Sequence, residues 1–570
     1  MEPVAGSTID CDLLIAGSGA GGLTAAITAH AAGAEVIVTE KEPLFGGTTA
    51  YSAGVIWIPC NHHQAGHDIA DSPDAAMRYL ESEVGNRLDR DKAAAFIVHG
   101  ADMVRFIEAN SHVRYTMQPG WADYHPDLPG GLGGGRSLLP EQFDGRRLGE
   151  DFRKLRAPIE TMMILGGMTV GRDDLPHLLN MTRSLKSAWY VARIFARHGI
   201  DRLRFERGTR IANGNALIAR MMLSLKETNT PVWLSSPVTE LVIEDGKVVG
   251  ARVSRDGESC EVRARRGVIL ACGGFPADAA LKARLYPHVA AGKNHRSLPP
   301  PGNTGDGIRL GQSAGGRFDE DAHHPAAWTP VSLVPKGDGT VPFPHFVDRG
   351  KPGVIAVDRR GRRFTNEADS YHDFVPAMFE ACKEDAEVAA WLITDHRSIR
   401  RYGLGAAPPA PGRLARHIRS GYLTRADTLE DLGGKLGIDG AALAETVTAY
   451  NGPAARGEDP AFHKGNNAYN HFNGDPRQRP NPCLAPIESA PFYGLRVIPS
   501  ELGTFIGLAT DARARVLDSA GAPIAGLYAV GNDAANVMGG TYPGAGITIG
   551  PAMTFAYIAA RHAMAASPAD

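Results

Sequence analysis

No two cysteines in this chain are spaced C-x-x-C. The six stand apart, at Cys11, Cys60, Cys260, Cys272, Cys382 and Cys483. Such spacing builds neither a zinc finger nor a disulfide framework, so reduced thiols in a cytoplasmic protein are expected. Charge of one sign is also missing. Lys and Arg number 60 against 63 Asp and Glu, a net charge of -3, and a nucleic-acid binder would show a basic surplus. No stretch reaches the roughly 18 apolar residues that a membrane-spanning helix needs. The most apolar late segment, residues 547–560, contains Gly550 and Pro551 and is expected to be a buried core helix. The N-terminal MEPVAGSTIDCD lacks the charged-then-apolar pattern of a secretory signal. What remains is a 570-residue chain, 43% hydrophobic and 22% charged, the balance of a globular protein rather than a disordered or fibrous one. Glycine is plentiful, at 67 residues, and its placement is informative.

The first fifty residues carry the clearest pattern. CDLLIA, from Cys11 to Ala16, reads as a short buried strand. Gly17-Ser-Gly19-Ala20-Gly-Gly22 follows, then an Ala-rich helix to Gly33, then a second strand, AEVIVTE, ending at Glu40. Strand, glycine turn, helix, strand and acid form the dinucleotide-binding fingerprint in its proper context. Gly17 permits the tight turn, Gly19 lets backbone approach a pyrophosphate, and Gly22 lets the helix pack on the sheet. Free N–H groups at the helix start face the phosphates. Glu40, 23 residues after Gly17, is placed to accept hydrogen bonds from ribose hydroxyls.

The rest alternates between helical, looped and strand-like stretches. Residues 53–110 read as helical, 119–149 as a Gly/Pro-rich loop, and 173–200 as helical again. Residues 231–273 return to short strands, with Asp245-Gly246 and Asp256-Gly257 as hairpin turns. Near the end, Gly526 to Asp533 reads as a strand entering a turn, followed by Gly539-Gly540-Thr541-Tyr542-Pro543-Gly544-Ala545-Gly546-Ile547 and a helix. A helix starting near Gly546 aims its positive end at whatever sits before it.

Several of these segments together resemble the flavin-dependent 3-ketosteroid Δ1-dehydrogenases, of the wider fumarate reductase group, over nearly the whole length. They are GSGAGG, FGGTTAYSAGVIWIP, NTGDG, GRRFTNEADSYHDF, SELGTFIGLATD and AVGNDAANVMGGTYPGAG. The resemblance implies an α/β protein in which a Rossmann-like FAD-binding domain is interrupted by an α+β catalytic domain. The expected boundaries are 1–299 for the first part of the FAD domain, with a helical insertion at about 112–210, then 300–489 for the catalytic domain and 490–570 for the returning part. The cofactor set expected is Gly17, Gly19, Ala20, Gly22, Glu40, Lys41, Gly47, Thr48, Thr49, Ser52, Gly54, Val238, Gly273, Asp306, Gly531, Asn532 and Ile547, holding FAD non-covalently.

The reaction implied is removal of two hydrogens from adjacent carbons beside a ketone. A base takes the α-proton and flavin N5 takes the β-hydride; the carbonyl must be polarised for the first to leave. In the family a tyrosine hydroxyl and a backbone N–H four residues later polarise it, and Tyr542 and Gly546 match. The family's base matches Tyr371. A phenol with a pKa near 10 needs help to act as a base at neutral pH. The family's relay tyrosine, in an Asp-Tyr-Tyr segment, falls on His125 of Asp123-Tyr124-His125. Either His125 relays protons, its ordinary pKa being near 6.5, or the role passes elsewhere, for instance to Tyr190. That departure admits smaller cyclic ketones, of the cyclohexanone kind, alongside steroids. The expected substrate is a neutral, apolar cyclic ketone, with a quinone-like or dye-like electron acceptor; oligomeric state is not legible.

Rival readings fare less well. Fumarate reductases clamp a dicarboxylate with an arginine in HGxNRLG, where this chain has Val537. Arg349 and Arg363 remain without a role, the latter expected to be structural. The G-x-S-x-G at Ser313 lies near a helix end and not at a strand-to-helix elbow. His62-His63 and His323-His324 are adjacent pairs expected to point apart, with no carboxylate or thiol ligand set beside them, so no metal is expected. A non-enzymatic flavoprotein is disfavoured by the match at both Tyr371 and Tyr542.

Overall fold

The computed structural model describes residues 8–171, 174–181, 184–255 and 257–565. Asp256 of the second expected hairpin therefore lies outside the described residues, as do residues 1–7, two short pieces of the 173–200 stretch, and the last five residues.

The first sheet has six strands, in the order Val232–Trp233, Val36–Thr39, Leu13–Ala16, Val268–Leu270, Pro523–Ala529 and Arg515–Leu517. All neighbours are parallel except the last pair. Leu13–Ala16, Val36–Thr39 and Val268–Leu270 are buried at every residue, which is why they read as unbroken apolar runs. The Ala-rich helix Ala20–Ala31 packs closely against the C-terminal helix Ile549–Ala565. A four-stranded layer covers the sheet, in the order Thr8–Cys11, Glu258–Ala264, Lys247–Arg255 and Val238–Glu244. Its turn at Asp245-Gly246 has φ of 49° and 77°, the pair of left-handed residues that a two-residue hairpin requires.

The second large sheet is antiparallel, in the order Gly339–Pro344, Ala326–Lys336, Phe492–Thr504, Ala390–Asp395 and Val354–Val357. Phe492–Thr504 is central to it, so the chain rejoins the first sheet at Arg515, later than the expected 490. Among the described residues of the span 112–210, α-helix is confined to Asp174–Asn180 and Leu185–Asp201, alongside short strands and 3₁₀ turns.

The GRRFTNE segment is a fastening of this second body. Arg363 is bidentate to Glu367 at 2.8 and 2.9 Å and reaches both oxygens of Asp459 at 2.9 and 2.8 Å. Lys464, fully buried, lies 3.5 Å from Glu367. Removing one partner from such a buried set strands the other charges, so Arg363 is structural. Arg349 is equally buried, and its guanidinium donates to the carbonyls of His345, Glu367 and Asp369. Ser313 closes the helix Asp306–Ser313 and its hydroxyl donates to the Leu310 carbonyl, which is no nucleophile's setting.

Candidate active site

One cavity of about 1140 Å³ runs between the two bodies. Of the expected cofactor residues, Gly17, Gly19, Ala20, Glu40, Lys41, Gly47, Thr48, Thr49, Ser52, Gly54, Val238, Gly273, Asp306, Gly531 and Asn532 line it. Gly22 and Ile547 do not. A Cβ on Gly22 would lie 2.0 Å from the Gly17 carbonyl, so that glycine serves helix-on-strand packing, and Ile547 is fully buried in the core. Gly17 has φ of 117°, and a Cβ there would strike the Ala271 backbone. At Gly19 the space is open, with only Thr49 Oγ1 at 3.8 Å. This is a cradle with room for a pyrophosphate at a helix start, and the residues present fit FAD. Ser18 donates its N–H to the Glu40 carboxylate at 3.1 Å. Asn303 donates to Thr48 Oγ1 at 2.7 Å, and Lys41 reaches Thr304 and Asp306 at 2.6 Å each. The NTGDG segment is thereby docked on the Gly-Gly-Thr-Thr loop.

On the wall of the same cavity three phenols from distant segments meet. Tyr124 lies in a loop, Tyr371 opens the helix Tyr371–Ala381, and Tyr542 precedes the C-terminal helix. The hydroxyls of Tyr124 and Tyr371 are 2.9 Å apart. The Tyr124 and Tyr542 rings stack at 5.4 Å and 10°, and Tyr371 stands edge-on to Tyr542 at 5.3 Å and 76°. All three are buried. Burial drives the Tyr371 and Tyr124 pKa values well above the ordinary phenol value. Tyr542 is pushed up by burial to about 12, with hydrogen bonds to Tyr371 and Thr548 acting the other way. Tyr469 packs on Tyr124 at 4.5 Å. Gly546 has φ of 103°, and a Cβ there would strike Val55 and Ile56; it lines the cavity beside Tyr542.

The residues expected to relay protons are elsewhere. The His125 ring is turned to carboxylates, with Nδ1 2.6 Å from Glu83 and Nε2 3.0 Å from Asp373. The Tyr190 hydroxyl donates to Asp174 at 2.7 Å and accepts from Arg210 at 3.2 Å. Neither lines the cavity. The phenol beside Tyr371 is that of Tyr124, one position before His125. The reason is local. Asp123 accepts from Trp57 Nε1 and from Arg136, both at 2.8 Å, and Tyr124 donates its N–H to the Pro543 carbonyl at 2.8 Å. With Asp123 held by its side chain and Tyr124 by its backbone N–H, Tyr124 faces the cavity and His125 does not.

His125 instead clasps two segments. Asp373 also accepts from Ser370 Oγ at 2.7 Å, within the N-terminal cap of the helix that begins at Tyr371. The imidazole therefore ties the Tyr124 loop to the Tyr371 helix. Burial alone would lower the His125 pKa, but Asp373 and Glu83 overcome it and lift it to about 11. Asp373, which burial would raise, is held down to about 2 by the His125 charge. Adjacent histidines do point apart at His323 and His324, where His323 bonds the Val84 carbonyl and His324 stands edge-on to His372. At His62 and His63 that expectation fails, and both rings meet Glu108.

Beyond the phenols the cavity wall is mostly apolar. Trp121 and Phe472 stack at 5.4 Å, and Phe346, Leu502, Ile159 and Met162 continue it. Among the described residues no arginine lines the cavity. Lys351 does, and its ammonium donates to the carbonyls of Asn473 and Gly474 at 2.6 and 2.8 Å. Sequence reasoning missed Tyr124, Tyr469 and these wall residues; only the aromatic spacing around 121–125 could have pointed to them.

A family model described as FAD binding domain matches residues 12–549. The chain is 40% identical to 4-oxocyclohex-2-ene-1-carboxylate 5-dehydrogenase of Sinomonas cyclohexanicum, covering 97% of this chain and 94% of that one. It is 36% identical to 3-oxosteroid 1-dehydrogenase of Mycobacterium tuberculosis, over 97% and 98% of the two chains. Among solved structures, 3-ketosteroid delta1-dehydrogenase from Sterolibacterium denitrificans in complex with 1,4-androstadiene-3,17-dione superposes with a TM-score of 0.89 at 36% identity. The match covers 98% of this chain and all of that one.

Two predictions come from this geometry. Gly19 has φ of -74° and ψ of 178°, a conformation any residue adopts, so Gly19→Val is expected to fold with wild-type circular dichroism yet purify without flavin absorbance. A variant carrying one FAD per chain would remove Gly19 from the cradle. The second concerns His125→Gln. A pKa raised from 6.5 to about 11 gives stability fully present below pH 6.5 and lost as pH rises toward 11. The depressed Asp373 gives stability present above 3.8 and lost as pH falls toward about 2. The gap in thermal midpoint between wild type and variant is therefore expected to be widest near pH 5–6 and to shrink steadily on the alkaline side. A gap independent of pH would contradict the clasp.

Proposed function

The chain belongs to the FAD binding domain family, within the ketosteroid dehydrogenase group of flavoproteins, and from that premise we propose how its three phenols divide the work of a desaturation. The protein is an FAD-dependent dehydrogenase that forms a carbon–carbon double bond in a cyclic ketone. FAD, when bound, supplies the acceptor for the β-hydride.

Tyr542 donates its hydroxyl to the ketone oxygen, and the Gly546 N–H is the second donor. A fixed pair of preorganised donors stabilises the developing enolate more than mobile water would. Tyr371 takes the α-proton through its phenolic oxygen. Burial makes that phenolate costly, so it forms only where its charge is shared and its proton has somewhere to go. Tyr124, 2.9 Å away, is the group that shares it, in place of His125 or Tyr190. The observation that carries this reading is the convergence of Tyr124, Tyr371 and Tyr542 on the wall of the cavity that also holds the glycine cradle.

The wall favours a neutral ring ketone. Arg349 and Arg363 are committed to carbonyls and carboxylates within the fold, Val537 is buried, and a dicarboxylate would find no arginine among the described lining residues. The aromatic pair Trp121 and Phe472 suits the flat face of a ring.

Tyr371→Phe is expected to abolish exchange of α-deuterium from the ketone into solvent while flavin stays bound. Tyr542→Phe is expected to lower kcat by about 10²–10³, the usual effect of losing one such donor. Retained exchange in Tyr371→Phe would remove it as the base, and near-normal turnover in Tyr542→Phe would remove it from the carbonyl site.

A further inference from the structure

His62 and His63 sit on the 3₁₀ turn His62–Gln64, and their rings lie 4.3 Å apart at 34° to each other. Both present Nε2 to one carboxylate. His62 Nε2 is 3.0 Å from Glu108 Oε2, and His63 Nε2 is 3.2 Å from both Glu108 oxygens. Glu108 is near the end of the helix Arg90–Asn110, and its Oε1 also accepts the Tyr115 N–H at 2.9 Å. The carboxylate is thus aimed by its neighbour and not only by the two rings. His62 Nδ1 is buried without a hydrogen-bond partner, so Nε2 carries that ring's polar contact.

The two histidine-to-carboxylate distances suit a hydrogen bond and equally two edges of a coordination polyhedron. With metal–ligand bonds of about 2.0–2.1 Å, the edge of a tetrahedron is about 3.3 Å. The histidine-to-carboxylate distances lie close to that edge, and one ligand atom from each of the three residues falls within 4.8 Å of the others. No other group of three His, Cys, Asp or Glu among the described residues does so. The side chains are 34%, 22% and 13% exposed, enough for an ion to enter and for water to complete its shell. None of the three lines the central cavity, so the cluster is separate from the reacting groups.

We propose that His62, His63 and Glu108 bind a divalent transition-metal ion of borderline softness, Zn²⁺ or a close relative, through two imidazole nitrogens and one carboxylate, with water in the open position. Two nitrogens and one oxygen with an open place suit such ions better than Ca²⁺ or Mg²⁺, which take oxygen ligands. The ion would cross-link the 62–64 turn to the long helix behind it. Residues 58–61 link that turn to the strand Ile56–Trp57, whose Trp57 N–H bonds the Gly546 carbonyl.

The test uses the full chain with FAD bound, stripped with a chelator and titrated with Zn²⁺ against a chromogenic competitor. One equivalent is expected to bind. Affinity should fall in His63→Gln and in Glu108→Gln by more than the ~10–100-fold that losing an outer-shell partner costs, and should be unchanged in His323→Gln. Co²⁺ added to the wild-type protein gives a second reading that needs no variant, since four or five ligands produce intense visible bands that the aqueous ion lacks. Zn²⁺ binding equal in Glu108→Gln and wild type, no binding in the wild type, or an aqueous Co²⁺ spectrum would each overturn the site.

Discussion

The contact between the Tyr124 and Tyr371 hydroxyls is the constraint on which the rest of the centre depends. Tyr124 donates its hydroxyl to that of Tyr371 at 2.9 Å, so each of these buried phenols has the other as a hydrogen-bond partner. They come from segments some 250 residues apart, one in the loop after residue 120 and one at the head of a helix in the second body. The contact therefore exists only while the two bodies keep their seating, and the third phenol, Tyr542, closes the set from the returning end of the chain. Chemistry and domain packing share these side chains: all three belong to the largest apolar cluster of the molecule.

That seating is held by polar groups placed just behind the tyrosines. Arg136 is buried between the rings of Trp57 and Tyr79, each 5.5 Å from its guanidinium carbon, and it bonds Asp71 and Asp123 at 2.7 and 2.8 Å. Asp123, so held, is the residue immediately before Tyr124. The Pro543 carbonyl accepts from the Tyr124 N–H and from the Tyr79 hydroxyl, at 2.8 and 2.6 Å, which ties the Tyr124 loop to the segment carrying Tyr542. His125 completes the frame toward the Tyr371 helix. Each tyrosine is thus positioned through its backbone or its sequence neighbour, with the hydroxyls of Tyr124 and Tyr371 bonded to each other. A buried ion set of this kind adds little net stability, but breaking one partner is costly, and this suits a device that fixes position.

Much of this was legible in the sequence where the physics is local. The fingerprint from Cys11 to Glu40 could be read because each glycine answers to one short-range demand, and Gly17 and Gly22 meet theirs in space. The relay residue was not legible, since a loop has no periodicity to say which of Tyr124 and His125 turns inward. That choice is made by Asp123, Arg136 and Pro543, the last more than 400 positions away. The place of Phe492–Thr504 in the second sheet was hidden for a similar reason: strand pairing over long sequence separations leaves no local mark. His62 and His63 look divergent on an ideal strand or α-helix, and only the tighter 3₁₀ turn and the arrival of Glu108 bring them together.

On this proposal the phenol cluster and the FAD cradle act on one ring ketone in one cavity. It is tested most directly by mixing the FAD-loaded protein, without oxygen, with a saturated ring ketone deuterated or not at the β-carbon, and following the flavin absorbance. Bleaching in a single turnover is expected, with an equal amount of unsaturated ketone formed and a slower rate with the deuterated substrate. Flavin that stays oxidised in the presence of both steroid and monocyclic ring ketones would contradict it.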